Sequence, residues 1–166
     1  MVAQSLAESQ VRLSGVPFHD IHGNISAGGR FLERFLNLVG YTIVPDKIDF
    51  SLIYSTDIVQ CYPGKKVVGT GDNIPLSSEI ERCRTWLDQE LSLLQPQAIL
   101  LFGTPANKTF FQHYLEQKFT KLSDYYLQPS LYRDSQVLSL PHPTSMAPSK
   151  STIYQKTFEI LGQTLK

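Results

Sequence analysis

Apolar side chains return along this chain at two spacings. Between Ser26 and Gly40, the positions Phe31, Leu32, Phe35, Leu36 and Val39 recur every three or four residues. That is one face of a helix, led in by Ser26-Ala27-Gly28-Gly29 and stopped by Gly40. A second stripe, Ile80, Cys83, Leu87, Leu91 and Leu94, predicts another helix, with Ser78 and Glu81 as a capping box and Pro96 as its end. Residues 98–102 are apolar without interruption, as expected of a parallel strand covered on both faces. Gly103-Thr104-Pro105 opens a third helix, with Thr104 as N-cap and Pro105 at its first position, running to about Phe119. Residues 1–4 read as the tail of a strand whose beginning is missing. Strands are also predicted over 50–55 and near 136–140, and a last helix over about 149–164. Ser14-Gly15-Val16-Pro17-Phe18 reads as a turn that displays an aromatic; 58–66 read as irregular and 67–75 as loop. Strands alternating with amphipathic helices predict a three-layer α/β/α sandwich with a mostly parallel central sheet of about four strands.

The 166 residues suit one domain, 1–166, large enough for a sizeable core. Formal net charge is zero, which argues against a strongly basic nucleic-acid coat. The charge is uneven, however. Residues 1–99 hold 8 Lys and Arg against 11 Asp and Glu, and residues 100–166 hold 7 against 4, so the C-terminal part points to an anionic partner. No apolar run is long enough for a bilayer span and no signal peptide is evident, which makes a cytoplasmic monomer away from membranes the expectation. Two cysteines, Cys61 and Cys83, make no disulfide framework. The chain lacks a Gly-x-Ser-x-Gly nucleophile turn, and His19, His22 and His113 form no metal set.

His142 stands out because it lies between Pro141 and Pro143, directly after the apolar run 137–140. Proline fixes its own φ and biases its predecessor toward extended geometry, so this imidazole is presented by a stiffened backbone. The C-terminal edge of a strand is where open α/β sheets keep their ligand sites. The alternative is an ordinary histidine in a Pro-rich turn.

Several segments, in order, resemble the uracil-DNA glycosylase superfamily, and most nearly its iron–sulfur branch. Gly15-Val16-Pro17-Phe18 matches the family's Gly-x-Pro-Phe. Gly28-Gly29-Arg30-Phe31-Leu32 matches its glycine-led helix, and Thr56-Asp57-Ile58-Val59-Gln60-Cys61-Tyr62-Pro63 its Thr-Asn-x-x-x-Cys-x-Pro. Cys83 with Trp86-Leu87, the strand from Leu94 to Gly103, and His142-Pro143-Thr144 match three further motifs. Val2-Ala3-Gln4-Ser5-Leu6-Ala7-Glu8 stands in place of the family's Gly-Glu-(Ala/Gly)-Pro-Gly-Glu turn. The resemblance covers nearly the whole chain, beginning inside the first strand. It implies a uracil-DNA glycosylase-like domain without the upstream segment, acting as a base-excision hydrolase on uracil or a related lesion in DNA.

In that reading the target base leaves the stack. Phe18 supplies a stacking face and His142 donates to O2 of the departing base. The backbone around Gln4 and Ser5 binds the base edge. Thr144, Ser145, Met146 and Lys150 meet DNA, with Met146 as a wedge and Lys150 near phosphates. For Phe18 a core position is the alternative, for Lys150 a solvated surface lysine, and for Met146 a contact with the protein's own surface. Three departures bear on catalysis. Ala3, Leu6 and Ala7 replace the turn's glycines and proline. Gln4 replaces the water-activating acid, leaving Glu8 as a substitute base or a surface residue. Asp57 replaces the base-reading Asn, and an ionised Asp only accepts hydrogen bonds. Asp57 therefore reads an edge with two donors, or acts as general base, or merely caps a turn. Cys61 and Cys83 correspond to two of four thiolates that hold a 4Fe–4S cluster in the branch. A cluster here requires upstream ligands; otherwise both are core residues. A family member that binds DNA or a partner without releasing a base is the competing function.

Overall fold

The computed structural model describes residues 1–5, 18, 24–41, 53–68, 73–143 and 148–165, with the side chains of residues 4, 5, 148 and 149 excepted. The elements in chain order are β1 (Val2–Ser5), α1 (Ala27–Leu36), β2 (Thr56–Val59), α2 (Ser77–Leu94) and β3 (Ala98–Phe102), followed by α3 (Gly103–His113), β4 (Ser130–Tyr132), β5 (Ser135–Leu140) and α4 (Pro148–Thr164). The strands form one sheet in the order β2-β1-β3-β5-β4. All pairings are parallel except β4 with β5.

Alternation along the central strands sorts the core into two layers. Leu100, Phe102, Leu138 and Leu140 turn to one face, where Phe31, Leu32, Phe35 and Leu36 of α1 meet Tyr154, Phe158 and Leu161 of α4. Val2, Ile99, Leu101 and Val137 turn to the other face, against Leu87 and Leu91 of α2 and Ala106, Phe110 and Phe111 of α3. Burying each such side chain contributes about 1.5–3 kcal/mol, which makes the two apolar layers the main stabilisers of the sandwich. The α/β/α architecture is therefore the one the periodicities predict.

Local details differ from the sequence expectation. Of the strand expected over 50–55, residues 50–52 lie outside the described residues and 53–55 form no strand; Thr56 N–H donates to the Met1 carbonyl (2.9 Å), and the ladder with β1 runs from Thr56 to Val59. A polar Asp57 inside that ladder had broken the apolar signal, so 58–59 read as irregular. The cap of α2 lies two residues earlier than expected. There the Glu79 carboxylate accepts from Leu76 N–H at 2.7 Å, in place of the Ser78–Glu81 pair. Thr104 is not the cap of α3. Gly103 takes φ +80°, which lets the chain turn from strand straight into helix, and Phe102 becomes the N-cap. The same helix ends at His113 instead of Phe119, because left-handed Glu116 lets Gln117 N–H return to the Phe111 carbonyl at 2.9 Å. β4 adds a fifth, antiparallel strand at the sheet edge.

Candidate functional site

β1 lies between β2 and β3 in the sheet, so successive connections leave it in opposite directions. Open α/β sheets bind ligands beyond the carboxyl ends of the strands at such a switch point, which here lies at Ser5 of β1 and Gly103 after β3. The register defines the row of side chains just below it. Asp57 pairs with Ala3, Val2 pairs with Leu101 so that Ala3 lies level with Phe102, and Phe102 pairs with Leu140. Asp57, Ala3, Phe102 and Leu140 thus share the face that carries α1 and α4. Strands lie about 4.8 Å apart, so Asp57 and Phe102 stand roughly 10 Å from each other, with Ala3 on the strand between them.

Phe18 packs its ring edge-on to Phe102, with centroids 6.1 Å apart and planes at 80°. Its backbone is left-handed (φ +66°), a conformation that costs a non-glycine residue about 1–3 kcal/mol and persists only when neighbours enforce it. Two neighbours do so. The Phe18 carbonyl accepts from Ser26 N–H at 2.7 Å, just before the N-terminus of α1. Gly29 lies so close that a Cβ there would sit 2.8 Å from the Phe18 carbonyl oxygen. Ser26 in turn caps α1, its Oγ accepting from Gly29 N–H at 3.1 Å.

His142 is half-buried, two residues past Leu140, and packs over Gly103, whose missing Cβ would lie 3.5 Å from His142 Cβ. The Gly103 turn is fixed from below by buried Asn107, whose Nδ2 donates to the Leu101 (3.2 Å) and Gly103 (2.8 Å) carbonyls. Burial, and then the Lys150 ammonium, push the His142 imidazole below its ordinary value, so it is neutral at pH 7 and keeps one ring N–H to donate.

Asp57 is buried, 5 % exposed, and sits within β2, so it caps no turn. Burial pushes its carboxyl up to about 7, Glu90 pushes the same way, and the Met1 amino group partly offsets both. Glu90 is held on α2 by Tyr54 Oη (3.0 Å) and Gln60 Nε2 (2.7 Å), both donating to its Oε1.

Phe18 thus packs on Phe102 and His142 on the adjoining Gly103, with Asp57 level with Phe102 in the sheet. Lys150 lies half-buried in the first turn of α4, close enough to act on His142. Gln4 and Ser5 lie in β1, but their side chains are outside the described residues, as are Glu8, Thr144, Ser145 and Met146. Gly103, Asn107 and Tyr154 were missed as site residues. A glycine directly after an apolar strand is a usable signal for the first, whereas Asn107 and Tyr154 look like ordinary helix residues.

Cys61 is exposed, which removes it from the core; Cys83 is half-buried against the α2–α3 layer. Two thiols are half of a four-thiolate set, and no group of three or more His, Cys, Asp or Glu is assembled among the described residues. The residues present therefore do not fit a cluster on their own. A cavity of about 350 Å³ lies at the opposite, amino end of the strands, bordered by Met1, Tyr41, Tyr54, Glu90 and Gln97, away from His142. No helix among the described residues is long and apolar enough to cross a membrane.

The model of the Uracil DNA glycosylase superfamily matches residues 4–166. A Type-5 uracil-DNA glycosylase of Pyrobaculum aerophilum is 30% identical over 87 residues, which cover 49% of this chain and 34% of that protein. The aligned stretch thus spans about a third of the relative's length.

Proposed function

Because the chain belongs to the uracil-DNA glycosylase superfamily, we propose that it hydrolyses the N-glycosidic bond of uracil or a related damaged base in DNA. The observation that supports this reading is the packing of Phe18 against Phe102 and of His142 over the adjacent Gly103, with Asp57 level with Phe102 in the sheet. A base drawn out of the duplex would lie over Ala3, its face toward Phe18 and its edge toward Asp57. Unstacking it costs on the order of a few kcal/mol, which stacking on an aromatic ring offsets in part.

Cleavage of the bond leaves negative charge on the base, concentrated at O2. A neutral imidazole N–H aimed at that oxygen stabilises the charge as it develops. Lys150 adds a positive field from α4 on the same side. Water then adds to the sugar carbon and releases a proton. Gln4 orients such a water without taking its proton, which leaves Glu8 as the acceptor. Asp57 is well matched to uracil when protonated. A neutral carboxyl has one acceptor for N3–H and one donor for O4, the same pair an Asn side chain offers.

A second reading has a specific basis. Ala3 and Gln4 replace the glycine and the acid of the family's opening turn, which favours a protein that holds DNA without releasing a base. Incubation with duplexes bearing uracil or a purine lesion, followed by alkaline cleavage at abasic sites, separates the two. Strand breaks at uracil are the expected result. Duplex retention without breaks on any substrate overturns the glycosylase reading.

A further inference from the structure

We propose that Tyr154 of α4 is a positioning residue, whose hydroxyl locks the peptide that carries His142. The inference rests on the reading of His142 as the group that meets the departing base. Tyr154 is completely buried, and its Oη donates to the Pro141 carbonyl at 2.6 Å. The Pro141 carbonyl and the His142 nitrogen belong to one planar unit, so holding the oxygen fixes the plane from which the His142 Cα projects. Pro141 has its φ set by its ring, and Pro143 restricts His142 from the other side. Gly103 supplies the floor. The tyrosine hydroxyl adds a restraint on the tilt of that peptide plane.

The ring of Tyr154 has a second contact that matters to the same site. It stacks with Phe102 at 6.5 Å and 14°, and Phe102 is the ring on which Phe18 rests. On its other side it meets Phe31 edge-on at 4.8 Å. Lys150 precedes Tyr154 by four residues, one helical turn along the same face of α4. One helix therefore presents both the ammonium that acts on His142 and the hydroxyl that holds its backbone. Burial raises the phenol well above its ordinary range, so it stays a donor throughout the working pH.

Tyr154→Phe removes the hydroxyl and keeps the ring, which separates the two contacts. In single-turnover base release, kcat is expected to fall about 10–100-fold with KM within about twofold, the size of loss that misplacement of a catalytic group produces. In the DNA-free protein, the His142 ring titration followed by NMR is expected to rise toward the ordinary imidazole value of about 6.5 as the ring gains solvent. Burial over the Gly103 turn and the Lys150 ammonium on α4 both bear on that titration. Phe158→Leu, in the same aromatic cluster but without a hydroxyl, is the control, expected to lower Tm while leaving kcat and the His142 titration unchanged. An unmoved His142 titration in Tyr154→Phe overturns the positioning role, whether or not the wild type releases base. Absence of base release from wild type alone would instead count against the glycosylase reading.

Discussion

Replacing Asp57 by Asn isolates the consequence of holding a carboxyl inside the sheet. Burial and Glu90 push the native carboxyl up to about 7, against 3.8 for a free Asp. That displacement corresponds to about 4 kcal/mol of free energy linked to pH. The sign follows from proton counting. Below 3.8 both folded and unfolded chains hold the proton, and Asp57 contributes no pH dependence. Between 3.8 and 7 the unfolded chain releases it while the folded chain keeps it, so stability falls as pH rises. Above 7 both have released it, and the loss is complete. An Asn at this position does not titrate. The stability advantage of Asp57→Asn over wild type is therefore expected to grow by about 4 kcal/mol between pH 4 and pH 8, whatever its starting value. Urea unfolding of both proteins at four or five pH values across that range measures it. A difference that stays constant would mean that the carboxyl is ionised in the folded protein as it is in the unfolded one, and the protonated-acid account of base reading would be refuted.

The same titration should appear in catalysis. Uracil release by wild type is expected to decline about tenfold per pH unit above pH 7, as O4 comes to face a carboxylate, and Asp57→Asn should remove that decline while retaining activity. Gly29→Ala forces a Cβ to 2.8 Å from the Phe18 carbonyl and 2.7 Å from Ile25 Cγ2. It should cost about 1–3 kcal/mol in thermal or urea unfolding and weaken binding of DNA containing a flipped base; an unchanged Tm would refute the close contact. Asn107→Ala removes two hydrogen bonds to the strand-to-helix turn at Gly103. A loss of about 1–3 kcal/mol is expected in the same assay, and no loss would show that the turn holds itself.

Long helical stripes and the apolar run of β3 were legible in the chain because each buries a continuous surface, and such surfaces leave periodic patterns. β2 was misplaced for the opposite reason. Its Asp57 is a buried polar residue inside the ladder, and local pattern reads it as an interruption. The early helix start at Gly103 is accompanied by Asn107 reaching back to the Leu101 and Gly103 carbonyls, a side-chain bond that apolar periodicity does not reveal. Phe18 and His142 were legible as candidates through their flanking glycine and prolines, which mark constrained backbone. Their packing on the adjacent residues Phe102 and Gly103 was not, since it depends on the strand order that places β3 between β1 and β5. Tyr154 carried no signal at all; on an apolar stripe its ring is indistinguishable from core, and only the position of its hydroxyl distinguishes it.

The central claim is that a ring, a carboxyl and an imidazole at one switch point release a base from DNA. The most direct measurement quantifies free uracil from a uracil-containing duplex by mass spectrometry, with wild type and His142→Ala in excess over DNA. The account predicts stoichiometric uracil from wild type and a rate at least about 100-fold lower for the variant, the loss expected when an oxyanion-stabilising donor is removed. Equal rates for both proteins, or duplex bound by wild type with no free base, would contradict it.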